Sequence, residues 1–338
     1  MTRVAINGLG RVGRAVLKIL LNTKELELVA INDLIPPDNL AYLLKYDTVY
    51  GRYENPVDSD SDNLIISCKK YPVFHEKDPS KLPWGKLGVD IVLECTGNFT
   101  KKKELEKHLQ AGAKSVILSA PAKSEDIQTI VYGVNQSSES DSIVSCASCT
   151  TNCITPVVEV MGRRIGIKKA IMTTVHAYTA SQQLVDSPHK KFSRGRAAAA
   201  NIVPTTTGAA IATTQVLTQY TDKFDGAAIR VPVAVGSIAD ITFVTDRHTT
   251  REEINEIFRQ EANSERYQDI IGVSQDPIVS SDIIQDPRAT IIDLNMTQVV
   301  DGDLVKIMCW YDNEWGYAAQ MMRQAQKIAK TSRPLQTA

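Results

Sequence analysis

Apolar residues in the first half of the chain fall into short runs that alternate with helical patterns. Val4 and Ile6 give a first strand, and apolar residues then recur at helical spacing over 12–21. Further buried strands are predicted at "LELVAIND", "VDIVLECTG", "KSVILSAPA", "TIVYGVN" and "SIVSCAS", and helices at "DNLAYLLKYD" and "TKKKELEKHLQAGA". This alternation of apolar strands with helices predicts a doubly wound, mostly parallel α/β sheet.

The pattern changes from Cys149 onward. A helix is predicted over "CITPVVEVMGRRIG", and longer strands then follow at "KKAIMTTVHAY", "GAAIRVPVAV", "SIADITFVTD", "DPIVSSDII", "ATIIDLN" and "LVKIMCWYD". Only two clear helical patterns interrupt these strands, and "NEWGYAAQMMRQAQKIAKTSR" predicts a terminal amphipathic helix. The closely spaced strands favour an α+β domain with a largely antiparallel sheet, and the Asp301-Gly302 turn indicates a hairpin within it.

Composition is that of a soluble globular protein. The 338 residues are 43% hydrophobic and 23% charged, with a net charge of −1, so no overall basic field indicates nucleic-acid binding. No apolar run reaches membrane-spanning length, and the N-terminus shows no signal-peptide pattern. Six cysteines are too few for a disulfide scaffold in a chain of this length, which favours a reducing, cytoplasmic compartment.

Three glycines follow the first strand at the spacing G-x-G-x-x-G: Gly8, Gly10 and Gly13. Glycines permit a tight turn, and the helix N-terminus that follows offers N–H groups to a pyrophosphate. Asp33 ends the second strand, twenty residues after Gly13, where a carboxylate can accept from ribose hydroxyls and would repel a 2′-phosphate. The pattern therefore predicts a Rossmann-type domain that binds NAD. A tight turn without a ligand is the alternative.

Further candidate cofactor contacts come from the later strands of the same sheet. Ligands of doubly wound sheets bind at the carboxyl ends of the strands. The residues that fall at such ends are Thr96, Gly97, Ser119 and Ala120.

Three cysteines within eight positions, Cys146, Cys149 and Cys153, raise three possibilities. Structural zinc needs four ligands, usually as two separated pairs, and a second pair is missing. A redox pair is the second possibility. The third is a single nucleophile at Cys149, where a strand gives way to a helix whose N-terminus would lower the thiol pKa. His176, near the end of an apolar strand, is the candidate proton-transfer partner, although a neutral core histidine would look the same.

Six segments together resemble the phosphorylating glyceraldehyde-3-phosphate dehydrogenase family: "INGLGRVGR", "SCASCTTNC", "HAYT", "PTTTGAA", "RVP" and "WYDNEWGY". The resemblance implies a Rossmann domain over 1–148, completed by the C-terminal helix 314–332, and a catalytic domain over 149–313. It also implies a homotetramer, in which the polar segment 178–201 would lie near the cofactor and a subunit interface. No membrane or nucleic-acid partner is implied.

The family's reaction is the oxidation of glyceraldehyde 3-phosphate by NAD with uptake of inorganic phosphate. By resemblance, Cys149 attacks the aldehyde and passes through a hemithioacetal and a thioester, with His176 as its base. The residues implied for the substrate phosphate are Thr179 and Arg230. Those implied for the attacking phosphate are Ser148, Thr150, Arg194, Thr207 and Gly208. Further cofactor contacts implied are Arg11 and Val12 at the pyrophosphate, with Asn313 and Tyr317 near the nicotinamide.

The chain departs from the family pattern at a few positions. Cys146 stands where the family usually has asparagine, which opens the possibility of a Cys146–Cys149 disulfide. Ser187 precedes Pro188 where many NAD-dependent relatives have leucine, which leaves room for some NADP use.

Two rival functions remain open at this stage. One is a sister enzyme that acts on erythrose 4-phosphate, and the intact "TTTGAA" segment speaks against it. The other is a non-catalytic NAD-binding or regulatory protein, against which the retained Cys149 and His176 speak.

Overall fold

The structure is a computed structural model that describes residues 1–138 and 140–331. The chain divides into two compact units. Of the described residues, the first unit comprises those in Met1–Tyr132, in Gln136–Ala147 and from Ala318 to Thr331, and the second comprises Gly133–Asn135 and Ser148–Tyr317. No helix within the described ranges is both long enough and apolar enough to cross a bilayer.

The first unit is built on strands connected by helices and loops. Its strands are β1 (Thr2–Asn7), β2 (Leu26–Asn32), β3 (Tyr46–Asp47), β4 (Gly51–Arg52), β5 (Val57–Ser59), β6 (Asn63–Ile66), β7 (Lys69–Phe74), β8 (Ile91–Glu94), β9 (Ser115–Leu118), β10 (Gln128–Thr129) and β11 (Ile143–Ser145). Its helices are α1 (Arg11–Leu21), α2 (Pro37–Lys45) and α3 (Lys102–Gln110).

Nine of these strands form one sheet in the order β10-β11-β9-β8-β1-β2-β7-β6-β5. Every neighbouring pair from β10 to β7 is parallel, and only β5, β6 and β7 pair antiparallel. The predicted parallel sheet is confirmed. Because Asn7 pairs in register with both Asn32 and Glu94, the carboxyl ends of β1, β2 and β8 lie side by side.

The second unit holds the remaining elements in a mixed, largely antiparallel sheet, as predicted. Its strands are β12 (Ile167–Ala177), β13 (Val203–Thr206), β14 (Phe224–Val231), β15 (Ser237–Thr245), β16 (Ile271–Ser274), β17 (Thr290–Asp293), β18 (Gln298–Val300) and β19 (Leu304–Tyr311). Its helices are α4 (Cys149–Arg164), α5 (Ala209–Val216) and α6 (Arg251–Ala262), and α7 (Trp315–Thr331) begins in it.

Two strand registers in this sheet determine where polar side chains meet. The order is β13-β14-β12-β15-β19-β17-β16, with β18 also paired to β19. Strands β12 and β14 are parallel, which sets His176 directly beside Arg230. Strands β15 and β19 are antiparallel and pair Ser237 with Tyr311.

One predicted strand, at "DPIVSSDII", is wrong. Residues 276–284 form turns instead of a strand. The Asp282 side chain accepts a hydrogen bond from the backbone N–H of Val279 at 2.7 Å, and the Ile278 N–H is bonded to the carbonyl of Asp276. These local bonds compete with strand pairing, as aspartates flanking a short apolar run commonly do. Of the predicted strand at "TIVYGVN", residues 129–135, only Thr129 is in a strand, the two-residue β10, and residues 132–134 form a turn.

Candidate active site

The Cys149 sulfur lies at the first position of helix α4 (Cys149–Arg164). Ser148 forms the N-cap, and its Oγ accepts a hydrogen bond from the backbone N–H of Thr151 at 3.1 Å. Cys149 is half-buried, whereas most of the helix behind it is buried. The helix start therefore places a thiol next to backbone N–H groups that carry partial positive charge.

His176 lies at the end of β12, only 3% exposed, with its Nε2 3.4 Å from Cys149 Sγ. Its Nδ1 is 2.7 Å from the carbonyl oxygen of Ala177, and Arg230 Nη1 lies 2.7 Å from Nδ1 and 2.9 Å from the same carbonyl. Arg230 can only donate and the Ala177 carbonyl can only accept, so Nδ1 either accepts from Arg230 or donates to the carbonyl. With the proton on Nδ1, Arg230 donates to the carbonyl as well and the lone pair of Nε2 faces the thiol, which is the arrangement that a general base requires. With the proton on Nε2, the imidazole instead donates toward the sulfur.

The pKa of the Cys149 thiol differs from what the sequence predicts for a cysteine at a helix start. Burial raises the pKa of the Cys149 thiol, and the charge of Arg230 together with hydrogen bonds opposes that rise. Burial, followed by the charge of Arg230, lowers the pKa of His176 to about 3. The prediction of a lowered thiol pKa is therefore wrong here, because desolvation outweighs the helix start. In this state a neutral imidazole faces a neutral thiol.

Tyr311 also belongs to this site, although no local sequence pattern predicts its role. Its hydroxyl lies 2.9 Å from Thr150 Oγ1 and 2.8 Å from Thr174 Oγ1, and its ring meets the His176 ring edge-on at 5.9 Å between centroids. Burial raises the pKa of this phenol, so it stays neutral. The tyrosine thus fixes Thr150 and supports the imidazole from the side.

Two arginines supply positive charge around the thiol. Arg194 Nε donates to Thr205 Oγ1 at 2.9 Å and its Nη1 lies 3.4 Å from Ser181 Oγ, while Ser181 in turn lies 2.9 Å from Thr179 Oγ1. Arg230 Nε is buried and has no hydrogen-bond partner among the described residues. A buried guanidinium donor without a partner is costly unless an anion takes that place.

Thr207 and Gly208 lie at the start of the short helix α5. Gly208 is its N-cap, and Thr207 Oγ1 accepts a hydrogen bond from the N–H of Ala209 at 3.2 Å. These residues and the arginines all belong to the second unit. The second unit thus holds hydroxyl groups, two guanidinium groups and a thiol, a set of groups suited to binding phosphate esters. The charges of both arginines act on His176.

Asn313 is held in one orientation. Its Oδ1 accepts hydrogen bonds from Gly236 N at 3.1 Å and from Ser237 Oγ at 2.9 Å. The same Ser237 hydroxyl accepts from the N–H of Ala177, next to His176. The amide is therefore fixed by a residue that the sequence did not single out. Tyr317 is buried, in the first turn of α7.

The first unit contains a separate cavity of about 420 Å³ at the carboxyl ends of its parallel strands. Four of the predicted cofactor residues line it: Gly8, Gly10, Asp33 and Thr96. Asp33 Oδ2 accepts from the N–H of Leu9 at 2.7 Å, which ties the end of β2 to the glycine turn. A cavity of this size at such strand ends suits a nucleotide.

The glycine turn needs its glycines. Gly8 has φ +95°, and a Cβ there would lie 2.8 Å from the backbone N of Thr96. A Cβ on Gly13 would lie 2.0 Å from the carbonyl oxygen of Gly8. Helix α1 begins at Arg11, so its first N–H groups follow the turn directly. The backbone is thus shaped for close approach by a pyrophosphate, and the unit fits a dinucleotide.

The other predicted cofactor residues lie in the same unit. Arg11 pairs with Asp47 at 2.6 Å, so its backbone and not its side chain is directed to the turn, and Val12 follows it in α1. Gly97, with φ +69°, follows β8, and Ser119 follows β9.

None of the six cysteines, all of which are described, forms a disulfide. Over residues 1–138 and 140–331, no cluster of three or more His, Cys, Asp or Glu side chains could hold a metal ion.

Comparison with known proteins covers both halves of the chain. Residues 2–102 match the model of the glyceraldehyde 3-phosphate dehydrogenase NAD-binding domain, and residues 148–313 match that of its C-terminal domain. Glyceraldehyde-3-phosphate dehydrogenase 2 of Streptomyces avermitilis is 48% identical over 95% of this chain and 96% of the relative. Glyceraldehyde-3-phosphate dehydrogenase 1 of Bacillus subtilis is 46% identical over 97% and 98%. The chain therefore belongs to the glyceraldehyde-3-phosphate dehydrogenase family and is an NAD-dependent oxidoreductase.

Proposed function

We propose that this protein oxidises D-glyceraldehyde 3-phosphate to 1,3-bisphosphoglycerate with NAD and inorganic phosphate. The observation that carries the proposal is the 3.4 Å contact between Cys149 Sγ, at a helix start, and Nε2 of the buried His176. The names of the relatives support the choice of substrate. The donor set around the thiol supports a reaction in which two phosphate groups take part.

Proton transfer between Cys149 and His176 drives the proposed chemistry. Nε2 takes the thiol proton as the sulfur bonds to the aldehyde carbon, and it returns the proton to the oxygen to give a hemithioacetal. The same nitrogen removes that proton again as the carbon is oxidised to a thioester on Cys149. N–H groups at the start of α4 stabilise the negative oxygen in both steps. Inorganic phosphate then attacks the thioester carbon, releasing the acyl phosphate and the thiolate.

The two phosphate groups need different partners. Thr179 and Arg230 are proposed to hold the substrate phosphate, and the unpartnered Nε of Arg230 supports this. Ser148, Thr150, Arg194, Thr207 and Gly208 are proposed to hold the attacking phosphate. The positive charge of Arg194 and Arg230 lowers the cost of bringing two anions close to one thiol.

NAD, when bound, supplies the acceptor for the hydride that leaves the aldehyde carbon. Backbone N–H groups of the glycine turn and of Arg11, Val12 and Gly13 are proposed to hold its pyrophosphate, and Asp33 its adenosine ribose. Gly8, Gly10, Thr96, Gly97 and Ser119 are proposed to shape the walls. Asn313 is proposed to orient the nicotinamide amide, since Ser237 and Gly236 fix its own amide, with Tyr317 nearby.

Substrate choice is tested by following NADH absorbance with glyceraldehyde 3-phosphate and with erythrose 4-phosphate, each with and without inorganic phosphate. We expect turnover with the three-carbon aldehyde that requires phosphate. Faster turnover of erythrose 4-phosphate without phosphate would favour the sister enzyme. Tight NAD binding with no NADH formed from either aldehyde would favour a regulatory protein.

Replacing Arg194 with leucine should weaken the use of inorganic phosphate. The guanidinium supplies forked donors that a leucine lacks, so we expect the KM for phosphate to rise roughly tenfold or more, with little change in the KM for NAD. Arg196→Leu is the matched control, because Arg196 lies in the same loop but pairs with Asp186 in an exposed ion pair. Equal effects of the two substitutions on phosphate use would contradict the role of Arg194.

The assembly that we propose is a homotetramer, in line with the family resemblance. Segment 178–201 exposes apolar side chains on the second unit, with Leu184 78% and Phe192 90% accessible, and Ile202 follows at 69%. Exposed apolar groups of this size are typical of interfaces.

The compartment that we propose is the cytoplasm, because a reactive thiol needs a reducing environment.

A further inference from the structure

A chain of buried polar side chains lies behind the wall of the nucleotide cavity. It begins at Trp84, whose Nε1 donates to His108 Nδ1 at 3.0 Å, and continues through His108 Nε2 to Glu94 Oε2 at 3.1 Å. All three side chains are fully buried. A carboxyl group is rarely placed in such a position unless its oxygens are fully hydrogen-bonded.

The chain continues from Glu94 to residues that line the cavity. Asn7 Nδ2 donates to the same Glu94 oxygen, and Asn32 Nδ2 donates to Asn7 Oδ1 at 2.7 Å. The N–H of Glu76 donates to Asn32 Oδ1 at 2.9 Å. Asn7, Asn32 and Glu76 all line the cavity. One hydrogen-bonded path therefore connects the ends of β1, β2 and β8 with the segment that follows β7.

The direction of every hydrogen bond in this path is set from its buried end. The Trp84 indole can only donate, so Nδ1 of His108 must accept and its proton must sit on Nε2. Nε2–H therefore donates to Glu94, whose oxygen also accepts from Asn7. The amide of Asn7 is then oriented with its oxygen toward Asn32. If the amide of Asn7 or of Asn32 rotated by half a turn, it would place a donor against a donor.

Glu94 also holds the other side of the cavity through Thr96. Glu94 Oε1 accepts from the backbone N–H of Thr96 at 2.8 Å and from the Thr96 hydroxyl. Thr96 in turn packs against the glycine turn, so closely that a Cβ on Gly8 would lie 2.9 Å from its Cα. The position of the turn therefore depends on the position of Thr96, and that depends on Glu94.

We propose that Glu94 is a positioning residue for NAD: from behind the cavity wall it holds Thr96 and Asn7 in the places that the dinucleotide needs. The inference rests on NAD binding by this family and not on the reaction proposed above. Glu94 contacts cavity-lining residues directly, whereas Trp84 and His108 support Glu94 from farther away from the cavity.

Replacing Glu94 with glutamine tests this with almost no change of shape. A glutamine offers one acceptor oxygen where the carboxylate offers two. If the NH2 group of the glutamine faces Thr96, it lies against two other donors, the N–H and the hydroxyl of Thr96. If it faces the other way, it opposes Asn7 Nδ2 and the Nε2–H of His108. Either arrangement leaves a buried donor unpaired at the cavity wall.

The experiment is calorimetric titration of the purified proteins with NAD, together with steady-state kinetics and thermal unfolding. For Glu94→Gln we expect the Kd and KM for NAD to rise roughly tenfold or more, while kcat at saturating NAD stays within about twofold of wild type. A wild-type Kd for the variant would overturn the proposal. Since binding is measured without substrate, the result stands even if the protein proves to act on another aldehyde.

Two control variants separate positioning from general stability. Trp84→Phe removes only the far donor, and His108→Gln keeps an acceptor toward Trp84 and a donor toward Glu94. Both should lower the unfolding midpoint yet leave the Kd for NAD within about twofold. If either weakens NAD binding as much as Glu94→Gln, at a temperature where all are folded, the effect is one of stability and the proposal fails.

A shorter carboxylate covers the case in which Glu94→Gln does not fold. Glu94→Asp keeps both oxygens but loses one methylene, so it cannot reach Thr96 and Asn7 together. We expect the same weakening of NAD binding with a smaller loss of stability. Wild-type affinity in this variant would also overturn the proposal.

Discussion

Replacing Cys149 with serine should reduce NADH formation roughly a thousandfold or more. The serine hydroxyl would occupy the same helix start and face the same His176 Nε2, which lies 3.4 Å from the sulfur. Burial already makes proton transfer from the thiol to the imidazole unfavourable, because it raises the pKa of the thiol and lowers that of His176 to about 3. An alcohol is far less acidic than a thiol and a weaker nucleophile, so the same step would cost much more in the variant. The measurement is absorbance near 340 nm with glyceraldehyde 3-phosphate, NAD and phosphate.

Cys68→Ser is the matched control for this substitution. Cys68 is exposed and lies in the turn between β6 and β7, within the first unit. Its replacement should leave turnover within about twofold of wild type, as is usual for an isolated surface change. A Cys149→Ser protein that keeps a tenth of the wild-type rate would show that another group is the nucleophile.

His176→Asn is expected to have the second-largest effect, a loss of roughly a hundredfold to ten-thousandfold in kcat. Asparagine can keep a hydrogen bond to the sulfur, but it cannot take a proton. The thiol must then lose its proton to solvent, which its raised pKa opposes at neutral pH. We therefore expect the remaining NADH formation of the variant to rise with pH more steeply than that of wild type.

This pH dependence decides the role of the imidazole. His248→Gln serves as the control, because His248 lies in the loop after β15, outside the set of residues around the thiol. Its rate should follow the pH profile of wild type. A wild-type pH profile in His176→Asn, at a reduced rate, would leave His176 a structural residue and assign proton transfer to another group.

Local patterns predicted much of what these experiments address. The glycine spacing from Gly8 to Gly13 and the acid at Asp33 follow from backbone sterics and charge, which act within a few residues or along one strand. The helix start at Cys149 follows from the Ser148 cap and the apolar spacing behind it. The pairing of Cys149 with His176 follows from such local features combined with a family resemblance, and the structure places the two side chains in contact.

Contacts that depend on strand register could not be predicted. Ser237 and Tyr311 meet because β15 and β19 pair in one particular register, and Arg230 lies beside His176 because β12 and β14 run parallel. No pattern within a single strand specifies its partner's register. The same limit explains the error in the thiol pKa: the helix start is visible in the sequence, but the burial that outweighs it is a tertiary property.

The role of Glu94 could not be predicted either, although the sequence contains one sign of it. A glutamate at the end of the apolar run "VDIVLE" is unusual for a buried strand, because charged groups are seldom placed in a core without partners. Its partners come from residues 7, 96 and 108, which only the folded sheet brings together. A charged residue within a predicted core strand is thus a useful sign of a buried network.

The surroundings of the six cysteine sulfurs allow the accessible thiols to be counted with a haloacetamide, an electrophile that alkylates thiolates. Cys146, Cys153 and Cys309 are closed off from solvent, and burial also raises the pKa of Cys95. Cys68 is exposed, so the Cys68→Ser protein leaves Cys149 as the accessible thiol next to a base. At a pH where Cys149 ionises, each folded chain of this variant should take up one equivalent of a haloacetamide. Uptake above one equivalent then reports chains in which the buried sulfurs have become exposed, independently of any cofactor or substrate.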